Sequence, residues 1–126
     1  MRLILDAGAL IALERNDRLT WRRLEAALEA RNPPICHGGI VGQVWRGDGM
    51  RQARLARALV AVEIRPLDVS LGRAAGQLLA RAKRSDVIDA ALVLLAEDGD
   101  RIITSDPKDL APLARAADLD VELVVP

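Results

Sequence analysis

The chain has 126 residues, 51% of them apolar, enough for a conventional core and too apolar for a disordered or fibrous protein. Eighteen acids balance eighteen bases, so bulk charge gives no support for a generic polyanion binder. Tyrosine and phenylalanine are absent and only Trp21 and Trp45 are aromatic, which argues against a base-stacking platform and leaves phosphates and shape for any contact with nucleic acid.

Arg2 to Leu5 is a short apolar run ending at Asp6, as in a strand buried on both faces. Ala7 to Arg15 reads as a short helix, punctuated by Asn16 and Asp17. Arg18 to Arg31 alternates Leu19, Leu24, Ala27 and Leu28 with charges, the pattern of an amphipathic helix. Asn32-Pro33-Pro34 stops it, and Ile35-Cys36-His37 is a brief strand. Gly38-Gly39 opens a short helix carrying Gln43, Val44 and Trp45, broken by Gly47-Asp48-Gly49. Met50 to Leu59 is a further helix, with Arg51, Arg54 and Arg57 spaced three apart along one side. Val62 to Arg65 is a strand ended by Pro66. Helices follow over Val69 to Lys83 and Asp86 to Glu97. Arg101 to Thr104 is a strand, Pro107 to Ala116 a helix, and Val121 to Val125 the last strand.

No repeat, low-complexity tract or linker interrupts this order, so residues 1–126 read as a single domain. Short strands alternating with helices imply an α/β fold: a parallel sheet with helices on both faces. Cys36 stands alone, which excludes a disulfide framework or a cysteine metal site and suits a reducing cytoplasm. The amino-terminal stretch, broken by Asp6, makes a poor signal peptide. The longest apolar run, Ala90 to Ala96, is too short to span a bilayer. A cytoplasmic protein with no membrane association is the expectation.

In parallel sheets, functional residues gather beyond the carboxyl ends of the strands. Asp6 and Asp106 each sit just past a strand. Asp86 and Asp89 lie three apart in the first turn of the helix leading into the second of those strands, and so share a face. If the two strands are neighbours, all four acids meet at one edge. Taken singly, each reads as a helix cap: Asp106-Pro107-Lys108-Asp109 is a strong helix start, and either Ser85 or Asp86 could cap the helix carrying Asp89. Jointly they are costly. Two carboxylates about 5 Å apart repel by roughly 3 kcal/mol at an effective dielectric of about 20. No lysine is placed to compensate. Hard oxygen ligands select magnesium or manganese, and such an ion can activate water and stabilise charge on a phosphodiester. The cluster therefore points to metal-assisted phosphate-ester hydrolysis.

The segments ILDAGALIAL, GQVWRG, SDVIDAALVLLA and IITSDPKDL, in that order and spacing, resemble the PIN-domain nucleases, above all the VapC toxins of bacterial toxin–antitoxin pairs. The resemblance spans nearly the whole chain. It implies a three-layer α/β/α sandwich with a parallel sheet of four or five strands. It further implies an acidic pocket binding Mg2+ or Mn2+, endonucleolytic cleavage of RNA, homodimerisation and restraint by a cognate antitoxin. On this basis Asp6, Asp89 and Asp106 are the catalytic and metal-binding acids, with Ser105 and Thr104 matching the small polar residues beside the last. The chain departs from the family at Gln43, where a glutamate is usual. Glutamine keeps an oxygen ligand but loses a charge and cannot act as a base, and Asp86 is placed to compensate.

Arg46 is a candidate phosphate contact beside this site, and Arg51, Arg54 and Arg57 could follow a backbone, though an exposed helix face explains them equally. His37 reads as structural, and Trp21 and Trp45 as core or dimer-interface anchors. Four alternatives are set against a ribonuclease. A haloacid-type phosphatase would need a second Asp where Gly8 stands, and a response-regulator receiver would need paired acids at the first strand. A flap-type DNA nuclease would need extra helices. A degenerate fold kept as a protein- or RNA-binding module accommodates Gln43 without strain. If Gln43 lines the metal site, Gln43→Glu tightens magnesium binding in calorimetry, and an unchanged affinity removes Gln43 from it.

Overall fold

The structure is a computed structural model describing residues 1–126, with five short strands and seven helices. The strands are β1 (Leu3–Leu5), β2 (Ile35–His37), β3 (Glu63–Arg65), β4 (Arg101–Ile103) and β5 (Glu122–Val124). The helices are α1 (Ala7–Glu14), α2 (Arg18–Glu29), α3 (Gly38–Val44), α4 (Ala53–Ala61), α5 (Val69–Ala82), α6 (Val87–Val93) and α7 (Pro107–Ala116). No helix is long and apolar enough to cross a membrane.

The strands form one parallel sheet in the order β3-β2-β1-β4-β5. From β1 the chain steps outward to β2 and β3, then crosses back over to β4 and β5. Parallel crossovers are right-handed, so reversing the direction of travel puts the connecting helices on the opposite face. Helix α1 accordingly packs with α2, α3 and α4, while α5, α6 and α7 pack with one another. The result is an α/β/α sandwich. Leu3, Ile4 and Leu5 are all buried because β1 is central, with helices covering both faces. The edge strand β3 is exposed throughout, and its Glu63 pairs with Arg2 and Arg65.

Local chemistry sets the helix ends. Asp17 caps α2 by accepting from the amide of Thr20 at 2.9 Å, and Asp68 caps α5 through Leu71 at 2.9 Å. Asn16 and Lys83 take left-handed backbone angles (φ 63° and 55°) where α1 and α5 stop. Pro107 occupies the first turn of α7, where its missing N–H is no loss.

Three expectations from sequence are corrected. Helix α4 starts at Ala53 rather than Met50, because Gln52 is withdrawn into the core to fasten the preceding loop. Its Oε1 accepts from the amides of Arg46 and Gly47 at 2.9 and 3.1 Å, and its Nε2 donates to Val44 O and to Glu14 at 2.9 and 2.8 Å. Arg51 therefore lies off the helix, and Arg57 stacks on Trp21 at 5.4 Å, so the three arginines make no single helical row. Helix α6 ends at Val93, tightened by i to i+3 bonds from Leu95 to Leu92 and Ala96 to Val93, both 3.1 Å. Trp45 leaves α3 with extended backbone and is 40% exposed; Trp21 is half-buried and donates to Leu13 O at 3.0 Å.

Because Ile4 is sealed between two helical layers, Ile4→Ala should lower unfolding stability by about 2–5 kcal/mol. Ile64→Ala, on the exposed edge strand, should cost clearly less. Urea midpoints at constant slope check the ranking.

Candidate functional site

The sheet changes direction between β1 and β4, and loops diverge there to leave a crevice beyond the carboxyl ends of the strands. Register fills that rim. Leu5 pairs with Ile103, so Asp6 and Thr104 stand side by side one residue further on. Ile4 pairs with Ile35, which sets Asp6 level with His37 on the other side.

Asp6 is 6% exposed and its orientation is fixed twice. Its Oδ1 accepts from the amide of Ala7 at 2.8 Å, and its Oδ2 accepts from the Thr104 hydroxyl at 2.7 Å. Thr104 Oγ1 accepts in turn from the amide of Asp106 at 3.0 Å. The chain thus turns sharply at Asp106, whose carboxylate is exposed and makes no capping bond to α7. The capping role that its sequence context suggests is unused. Ser105 lies between them, exposed, and packs so close to Gly8 that a Cβ there would fall 2.8 Å from Ser105 Cβ. Glycine at position 8 is what lets this turn approach α1.

Asp89 reaches the rim from α6. Asp86 is the cap of that helix, accepting from the Asp89 amide at 3.1 Å, which leaves the Asp89 carboxylate outside the helix's own bonding. That carboxyl is pushed up to about 6, first by partial burial and then by repulsion from Asp86, Asp6, Asp109 and Asp106. No hydrogen bond and no base offsets these effects. Asp109, read from sequence only as a favourable helix-start residue, adds to the same field.

Gln43 and Arg46 belong to α3 and the turn after it. Gln43 is exposed near the end of α3. The Arg46 guanidinium folds back to donate to the carbonyls of Trp45, Gln43 and Gly42 at 2.8, 3.0 and 3.3 Å, closing the carboxyl end of α3. Two residues of the rim carry more than their sequence context shows. Thr104 orients Asp6 and Asp106 together, and His37, fully buried, accepts from the Gly39 amide at Nδ1 and bonds Ile88 O through Nε2, both at 3.0 Å. Both bonds are satisfied when the ring is neutral with its proton on Nε2, and burial holds its pKa below the ordinary value. The signal for both was positional: each ends a strand next to an acid-bearing one.

The donor chemistry suits a hard cation. Cys36 is buried with its thiol pushed up to about 12, and both His37 nitrogens are engaged, so oxygen alone is on offer. The carboxylates border the rim as an open set: no three Asp, Glu, His or Cys side chains are arranged to enclose an ion.

No family model matches the sequence, and no curated protein matches it. In fold, the chain is similar to a chain of VapBC2 from Rickettsia felis, crystallised bound to a DNA fragment from its promoter. The two superpose with a TM-score of 0.69 at 15% identity, over 98% of either chain. That likeness shows the architecture alone: an α/β sandwich on a five-stranded parallel sheet, PIN-like in its layers.

A raised carboxyl pKa is a pH-dependent cost. Folded Asp89 takes up its proton near pH 6 and unfolded Asp89 near 3.8, so stability falls as pH rises through that interval. In chelator, Asp89→Asn should match wild type near pH 4 and melt at higher temperature above pH 6.5. Both proteins share the loss that His37 protonation brings as pH falls. A difference in Tm constant from pH 4 to 8 would contradict the repulsion.

Proposed function

We propose that the chain is a metal-dependent endoribonuclease of the VapC kind, hydrolysing RNA phosphodiester bonds with Asp6, Asp89 and Asp106 holding Mg2+ or Mn2+. The observation that carries this reading is the uncompensated negative field at Asp89, to which four other carboxylates contribute at the switch point of the sheet. Close carboxylates persist where a cation repays their repulsion. When bound, the ion would supply Lewis acidity, favouring attack by water and neutralising charge on the phosphate.

The protein's own part is placement. Thr104 and the Ala7 amide hold the Asp6 carboxylate at one angle. The Asp86 cap and the Asp106 turn leave two further carboxylates free at the rim. Ser105 and Thr104 offer hydroxyls beside the last. Gln43 and Asp86 would act as outlying oxygen donors, and Arg46, held at the end of α3, as a charge on the substrate's approach. RNA is favoured over DNA because the chain has no additional helices to thread a single strand.

The similarity of fold to a chain of VapBC2 supports restraint by an antitoxin partner; a homodimer is what the sequence resemblance implies. The cytoplasm, where messenger and transfer RNA are exposed, is the compartment in which such a protein would act. A second reading rests on a specific observation: Gln43 replaces the expected acid and no cage of three ligands is preassembled. On that reading the fold serves as a protein- or RNA-binding module.

Two measurements separate them. Manganese at about 100 times its Kd should add about 2.7 kcal/mol to stability, and Asp89→Asn should abolish that gain. Structured RNA should be cleaved by wild type and on the order of a hundredfold more slowly by Asp6→Asn. Equal cleavage by both indicates a contaminant. A manganese-insensitive melt with no cleavage by a folded protein selects the binding module.

A further inference from the structure

We infer that His37 is a positioning residue of the acidic rim, tying the end of β2 to the first turn of α6 and so fixing where Asp89 is presented to a divalent cation. The inference rests on the metal reading of the rim and adds to it a residue outside the ligand set.

The ring lies level with Asp6 in the sheet and reaches across 51 residues of sequence to Ile88 O, the carbonyl immediately before Asp89. Only seven residues long, α6 follows an irregular stretch, so its own ladder does little to fix its first turn. The imidazole supplies an external anchor. Gly39 preserves the contact: a Cβ there would fall 2.8 Å from His37 Cε1 and 3.0 Å from its Nδ1, pressing on the ring that makes the bond. His37 is also the cap of α3, through Nδ1 and the Gly39 amide. A merely structural role would be met by that cap and by filling the core. The Nε2 bond to Ile88 is the part that bears on Asp89.

Substitution separates the two functions. Asparagine is a good cap and keeps an oxygen for the Gly39 amide, yet is too short to reach Ile88 O. Glutamine is long enough to offer its amide N–H to Ile88 O. With manganese chloride as the probe in calorimetry, His37→Asn should bind on the order of tenfold more weakly than wild type, as outer-shell partners do. Its Asp89 and Ala90 amides, which bond Asp86, should exchange faster with solvent, while unfolding stays cooperative. His37→Gln should recover most of the affinity and the protection.

Equal manganese affinity in His37→Asn and wild type overturns the role of His37 and leaves the metal reading standing. A wild type that binds no manganese overturns the metal reading and this role with it. Should His37→Asn not fold, Gly39→Ala carries the test: its methyl presses on the His37 ring that holds Ile88 O and should weaken binding similarly, and unchanged affinity overturns the inference.

Discussion

The in-register parallel pairing of β1 with β4 is the constraint on which the rest of this molecule depends. It joins residues nearly the whole chain apart, and the Thr104–Asp6 hydrogen bond, 98 residues across, exists only because Leu5 faces Ile103. A slip of one residue would turn every side chain of a three-residue strand to the other face. Burial prevents it, since Ile4, Ile102 and Ile103 are fully enclosed. The same pairing makes β1 the point at which the order of strands reverses. Helical layers on opposite faces, the crevice between β1 and β4, and the row of polar residues beyond them all follow from that one arrangement.

At the rim, helix capping and charge divide the acids differently from what a cap-by-cap account would give. Asp100, at the opposite end of the strands, is a buried acid that is wholly structural: its two oxygens accept from the amides of Arg2 and Glu97, both at 2.8 Å. Asp106 has an equally favourable capping context but leaves its carboxylate free, because the Thr104 hydroxyl takes the Asp106 amide and turns the chain before α7 begins. Asp86 absorbs the capping duty for α6, which releases Asp89. Carboxylates left unbonded near one another are costly, and a protein retains such costs at sites where something else offsets them.

Most of the fold was legible because the short apolar stretches at residues 3–5, 35–36 and 102–103 are bounded by polar or turn residues on both sides. The helix ends at Ala7, Arg18, Val69 and Pro107 were legible for a similar reason, each preceded by an aspartate. The start of α4 was not, since nothing local tells that Gln52 is buried and bonded to Glu14, 38 residues away. The length of α6 was likewise hidden: Leu94 to Ala96 keep an apolar pattern while their amides shift to tighter turns. Asp6 and Asp106 could be singled out from the strand ends, and Asp89 from the first turn of the helix before β4 together with the family resemblance. Thr104 and His37 could not be assigned their bonds, because those partners are chosen by register and by the docking of α6. Periodicity reports neither.

The neutral residue at position 43 bears on how the rim distributes its charge. Asp86, Asp6, Asp109 and Asp106 already impose a negative field on Asp89, with no base present to relieve it. Two of the contributing acids are Asp86 at the start of α6 and Asp109 in the first turn of α7. Both positions are helix amino ends, where the peptide dipole favours an anion and lowers the cost of keeping it. Residue 43 lies near the carboxyl end of α3, where the dipole has the opposite sense and an acid is disfavoured. Acids at helix amino ends keep the rim anionic at a smaller penalty to the fold than a carboxylate at position 43 would carry.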